Sequence, residues 1–115
     1  MTTLTALAPP SSVSVIRLTG ELGASEMDSL SRALTGLLVD NRCRVVLNLN
    51  GVSHVSLGGI AKLAERNIRF KSVGGEVKLS SLKPYVANLF NLVGANTSFD
   101  ITATEEEAVA RFENG

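Results

Sequence analysis

The sequence predicts an α/β fold, with a mixed, mainly parallel sheet of four to five strands and about four helices. Three observations predict it. Short β-rich runs alternate along the chain with segments whose apolar residues recur at three- and four-residue steps. Alternation of that kind implies parallel strands joined by right-handed crossovers. The run Arg44-Val45-Val46-Leu47-Asn48-Leu49 is almost continuously apolar, the pattern of a central strand buried on both faces.

Residues 1–12 read as an edge strand or a loose N-terminus, with Pro9-Pro10-Ser11-Ser12 as a turn. The folded core is expected over 13–112, within one domain that takes in residues 1–115. Val13, Val15 and Ile16-Arg17-Leu18 form a strand that stops at Gly20. A helix follows, capped by Ser25 with Asp28 three residues on, and it turns Met27, Leu30, Leu34, Leu37 and Leu38 to one side. The central strand ends at the turn signal Asn50-Gly51. After Gly59 a second helix carries Ile60, Leu63, Ala64 and Ile68 inward, with Lys62, Glu65, Arg66 and Arg69 outward, until Gly74-Gly75 stops it. Glu76-Val77-Lys78-Leu79 alternates as a strand does. Pro84 opens a third helix, whose inner face is Val86, Leu89, Phe90 and Val93 and whose end is Gly94. Phe99-Asp100-Ile101 is a last short strand. Thr104 and Glu107 then cap a final helix with Ala108, Val109 and Phe112 as its buried stripe.

Charge and composition exclude several functions. Lys plus Arg and Asp plus Glu both total 11, so a basic face for nucleic acid or anionic lipid is not expected. Without Trp and with one Tyr there is no stacking platform for bases. No apolar run is long enough to cross a bilayer, so direct membrane insertion is not expected. Met1 to Pro10 lacks the basic start and apolar core of a secretory leader. Cys43 is a lone cysteine, and with no Cys/His cluster to suggest a metal the chain reads as cytoplasmic.

Ligands of open α/β sheets bind at the carboxyl ends of the strands, which directs attention to Thr19–Ala24 and Ser53–Gly59. Gly58-Gly59 could curl around an anion at a helix N-terminus, but no nucleotide-binding glycine motif surrounds it; a tight strand-to-helix turn explains the pair. His54 could serve a hydrolase with Ser53 or Ser56, oriented by Asp100. Neighbours on an extended segment point apart, however, and no nucleophile elbow is present. Cys43, flanked by Arg42 and Arg44, could be a reactive thiol, though a small residue at a strand entrance is the simpler reading. Glu105-Glu106-Glu107 complements a helix N-terminus rather than a metal. Neither an enzyme nor a cofactor is expected. Ser53 and Ser56 lie close enough to the second helix for an added phosphate to meet its free N–H groups.

The ordered segments resemble the STAS domains of anti-sigma factor antagonists. Val15-Ile16-Arg17-Leu18-Thr19-Gly20-Glu21-Leu22 is similar to the family's opening strand, and Arg44 to Gly51 with Val52-Ser53-His54-Val55 to its central strand. Gly74-Gly75-Glu76-Val77-Lys78-Leu79, then Leu89-Phe90-Asn91-Leu92-Val93-Gly94, and finally Glu107-Ala108-Val109 continue the likeness from about Val13 to Phe112. The resemblance implies a non-enzymatic regulatory module that binds a serine kinase acting as an anti-sigma factor. Relatives are structural subunits of stress-sensing assemblies of STAS proteins, or partners of transporter ATPases. In the family a serine before the second helix is phosphorylated to switch binding off, within a signature Asp-Ser-Ser-Gly-Leu. Here those positions read Ser56-Leu57-Gly58-Gly59-Ile60, so Gly58 stands at the phosphoacceptor; in the variant signature Ser-Ser-Ala-Gly-Leu, Leu57 does. Gly23 and Asn48 replace two further acidic positions. The expectation is binding without the usual switch, with Ser56 and then Ser53 as displaced phosphoacceptor candidates. The partner surface is expected over Gly20, Glu21, Gly23, Ala24, Ser53, His54, Ser56, Leu57, Gly58, Gly59, Lys62 and Arg66.

Overall fold

The computed structural model describes residues 2–5 and 12–114. Its elements run β1 (Thr2–Thr5), β2 (Ser14–Leu22), α1 (Ala24–Val39), β3 (Arg44–Val55), α2 (Leu57–Ser72), β4 (Glu76–Ser80), α3 (Pro84–Leu92), a 3₁₀ turn (Ala95–Thr97), β5 (Ile101–Thr102) and α4 (Glu105–Asn114). The sheet order is β1-β2-β3-β4-β5, with β1 antiparallel to β2 and every other pair parallel. The expected mixed, mainly parallel sheet with four helices is therefore present. The turn expected at Pro9-Pro10-Ser11-Ser12 falls almost entirely outside the described residues.

Strands laid down in chain order with right-handed crossovers place α1, α2 and α3 on one face of the sheet. That face holds the core. Ile16, Leu18 and Leu22 from β2 meet Val45, Leu47 and Leu49 from β3 and Val77 and Leu79 from β4. Above them lie Met27, Leu30 and Leu34 of α1, Ile60, Leu63 and Phe70 of α2, and Val86 and Phe90 of α3. Phe90 is fully buried and meets Phe99 edge-on, ring centroids 5.9 Å apart. Because successive strand residues point to opposite faces, Arg17, Val46, Asn48 and Lys78 turn the other way. There α4 covers them. Lys78 is only 7% exposed, with its Nζ 3.1 Å from Glu76, 3.0 Å from Asp100 and 4.6 Å over the Phe112 ring.

Several assignments differ from the sequence reading: α2 begins at Leu57 rather than after Gly59, the last strand is Ile101–Thr102 rather than Phe99–Ile101, and Val93 is exposed at the end of α3. β2 passes Gly20 and reaches Leu22, because Gly20 takes a left-handed φ of 82° and the register with β3 shifts there. β3 likewise runs through Asn50-Gly51 to Val55. Gly51 lies against Thr19 of β2, and a Cβ there would stand 2.7 Å from Thr19 Cγ2. The cap of α1 is Gly23 with Glu26, whose Oε1 accepts the Gly23 N–H at 3.0 Å; Ser25 and Asp28 do not form it. In α2 the inward residue is Asn67, and Ile68 is 67% exposed. The Asn67 side chain accepts from Val77 N at 2.8 Å and donates to Ser98 O at 2.9 Å, tying helix to sheet. That satisfied amide fits inside where hydrophobicity alone would place isoleucine. Elsewhere Pro84 opens α3 and Thr104 Oγ1 accepts from Glu107 N at 3.1 Å, as expected.

Candidate functional site at the entrance to α2

The carboxyl ends of β2 and β3 come together at the start of α2. Ser56 N donates to Leu22 O at 2.9 Å, so the two strand ends are joined where the loops diverge. Ser56 is the N-cap of α2: its Oγ accepts from Gly59 N at 3.1 Å and its carbonyl accepts from Ile60 N at 3.0 Å. The hydroxyl is thus engaged in holding the helix. Ser53 is exposed on β3.

The adjacent glycines are not equivalent. A Cβ on Gly59 would lie 2.5 Å from Met27 Cγ and 2.7 Å from Ser56 Oγ, so at Gly59 α2 packs on α1 with no room for a side chain. A Cβ on Gly58 would meet nothing within 4 Å. Gly58 is exposed, and Leu57 beside it presents a 46% exposed side chain. Glu21 and Ala24 are exposed across the junction, while Gly23 is half-buried under its bond to Glu26.

The remaining expected residues separate into two directions. His54 stacks on Tyr85 of α3 at 5.8 Å between centroids, with Nδ1 3.2 Å from Tyr85 Oη. Lys62 and Arg66 face α1: Lys62 Nζ lies 3.2 Å from Asp28, and Arg66 Nε donates to Ser31 Oγ at 2.8 Å. Sequence reasoning missed Tyr85, Asp28 and Ser31 as neighbours of the site. The outward spacing of Lys62, Arg66 and Arg69 was the one available signal for the α1 side.

None of the catalytic pairings assembles. The Asp100 carboxylate binds Lys78 and Arg111, and His54 is partnered by a phenol rather than by Ser53 or Ser56. The Cys43 thiol lies 3.9 Å from Asn41 Oδ1, with its own carbonyl accepting from Glu76 N. Among the described residues no group of three or more His, Cys, Asp or Glu side chains could hold a metal ion, and no helix is long and apolar enough to cross a membrane.

A second polar cluster lies on the opposite face. Arg17 makes two hydrogen bonds to Glu105, at 3.0 and 2.8 Å, and Asn48 Nδ2 donates to Glu105 Oε1 at 2.9 Å. The bonded Arg17 holds the Glu105 carboxyl below the ordinary glutamate range, assisted by Asn48 and opposed by partial burial. An aspartate at position 48 would set a second carboxylate against Glu105, so the amide suits this neighbour.

Known proteins match along nearly the whole chain. The model of the STAS domain family matches residues 7–108. BtrV of Bordetella bronchiseptica, assigned as an anti-sigma factor antagonist, is 27% identical over 95 residues, covering 83% of this chain and 82% of its own. Among solved structures, the anti-sigma factor antagonist SpoIIAA in its unphosphorylated form superposes with a TM-score of 0.85 at 22% identity, over 100% of this chain and 98% of its own. The murine anion transporter Slc26a9 shares the fold at a TM-score of 0.75 and 20% identity, over 90% of this chain but 18% of the transporter. The chain belongs to the STAS domain family, and its likeness within that family runs to the anti-sigma factor antagonists.

Proposed function

We propose that this chain is a non-enzymatic, cytoplasmic binding module that acts as an anti-sigma factor antagonist, with residues 13–112 as its folded core. It binds a serine kinase that doubles as an anti-sigma factor. The surface is the entrance to α2: Gly20, Glu21, Gly23 and Ala24 on one side, Ser53, His54, Ser56, Leu57 and Gly58 on the other, and Lys62 and Arg66 along the helix, with Gly59 buried against Met27 beneath it. One observation supports this reading above the rest. At the helix entrance Leu57 is exposed beside a Gly58 that carries no hydroxyl, while the nearest serine, Ser56, is occupied as a cap. An exposed apolar side chain at a fixed helix terminus is a natural anchor for a partner. Without a hydroxyl at Gly58, binding is constitutive rather than switched by phosphate.

The test is affinity capture of the tagged protein from its own cells, followed by mass spectrometry. A GHKL-type serine kinase should co-purify, and Leu57→Asp should remove it while circular dichroism stays unchanged. The captured kinase should transfer phosphate to Gly58→Ser and leave the unmodified protein free of it. Phosphate on Ser56 or Ser53 of the unmodified protein would refute the constitutive reading. Co-purification of sister STAS proteins or of a transporter ATPase, with no kinase, would favour a structural subunit; the fold shared with Slc26a9 gives that alternative its footing.

A further inference from the structure

The two longest helices leave a charged groove that the entrance to α2 touches only at one end. α1 and α2 pack side by side, and a cleft of about 490 Å³ lies along them. Four cations, Arg32, Lys62, Arg66 and Arg69, line it with two carboxylates, Asp28 and Glu65, in a chain whose net charge is zero. Asp28 is already held by Lys62, and Arg66 donates to the neutral Ser31 hydroxyl. Among the described residues no carboxylate lies within ion-pair distance of Arg32, Arg66 or Arg69. Ser31 and Thr35 complete a lining that is polar throughout, and Met27, Leu30, Leu34 and Leu63 lie buried beneath it.

The layout selects the ligand. Lys62, Arg66 and Arg69 follow the helical repeat along one side of α2, spanning about 10 Å of its axis. A free phosphate would engage one or two of them and leave the rest. Base stacking has no footing either, because no aromatic side chain lines the cleft. Carboxylates about one helical turn apart would meet the cations in series. We infer that the α1–α2 groove docks an acidic segment of a protein partner, its carboxylates meeting Arg32, Lys62, Arg66 and Arg69. The inference rests on the reading of this chain as a protein-binding module and gives the partner a chemistry.

The probe is a synthetic helical peptide with Glu at every third or fourth position and Ala between, titrated into ¹⁵N-labelled protein. Amide shifts should concentrate in residues 28–35 and 62–69, and binding should weaken at least about tenfold on raising salt from about 50 to about 500 mM. Arg69→Glu and Arg32→Glu, both at exposed positions, should each weaken the peptide about 3- to 10-fold. Lys71→Glu makes the same charge change on α2 outside the groove and should alter affinity less than about twofold. Equal losses in Arg69→Glu and Lys71→Glu would overturn the inference, as would shifts spread over the whole surface. Displacement of the peptide by ATP or inorganic phosphate at millimolar level would also overturn it, reducing the groove to a small-anion site. If the peptide fails while the kinase is still captured through Leu57, the groove inference falls alone. If the peptide binds but no kinase is captured, the sigma-factor reading falls and the groove stands.

Discussion

The two faces of the sheet are built from different chemistry. Under α1, α2 and α3 the strands present Ile16, Leu18, Leu47, Leu49, Val77 and Leu79, and no charged side chain enters that cluster. Under α4 the same strands present Arg17, Asn48 and Lys78, and they are matched by Glu105, Asp100, Glu76 and the Phe112 ring. One face gains stability by removing apolar area from water, and it tolerates any arrangement that fills the space. The other must satisfy each buried charge individually, so its members depend on one another. The contrast implies different sensitivities to mutation.

The largest effect belongs to the apolar face. Phe90→Ala should cost about 3–5 kcal/mol, read as a lower denaturant midpoint with an unchanged slope. On the polar face Lys78→Ala should cost about 2–3 kcal/mol, because it strands Glu76 and leaves Asp100 with Arg111 alone, while Lys78→Met keeps the contact with Phe112 and should be somewhat milder. If Lys78→Met recovered nearly the whole loss, packing rather than charge would hold α4, and the contrast between faces would fail. At the edge of the apolar face, Gly59→Ala should cost about 1–3 kcal/mol by forcing Met27 aside, whereas Gly58→Ala should stay within about 0.5 kcal/mol. The smallest effect is that of Glu105. Its carboxyl titrates lower in the folded protein than its ordinary value of about 4.5, so its contribution is present above that pH and is lost as pH falls through the lowered value. Arg17 is largely in water, which limits the contribution to under about 1 kcal/mol. Glu105→Gln should lower stability slightly near neutrality and match the unmodified protein in acid, so that the stability-versus-pH curve flattens across that range.

This contrast also explains what could be read from the sequence. The apolar face announces itself through periodicity, so Met27, Leu30 and Leu34 or Val86, Leu89 and Phe90 are legible from spacing alone. Pro84 and Thr104 are legible because their local chemistry fixes a helix start whatever surrounds it. Asn67 was not legible, because its place inside depends on Val77 and Ser98 at other points of the chain. Nor were the ends of β2 and β3: Gly20 and Asn50-Gly51 carry the residues of turns, and pairing with a neighbouring strand overrides them. At the site, Gly58 stands out only against the signature of the resembled family, and the exposure of Leu57 is decided by the fold. The His54–Tyr85 stack spans 31 residues and the Arg17–Glu105 pair 88, and no pattern of spacing relates such partners before the fold exists.

The sheet order, identical to the chain order, bears on how the molecule is made. On a ribosome each strand after β2 emerges beside the edge already waiting for it, and each helix folds back over the pair it connects. No later strand has to insert between two that have already joined. The apolar face is therefore covered unit by unit as synthesis proceeds. The polar face is covered only when Glu105–Asn114 arrives. Until then Arg17, Asn48 and Lys78 stand in water around the apolar Val46, and charged and amide groups withstand that without recruiting other chains. The face left open longest during synthesis is the one whose side chains make delay harmless.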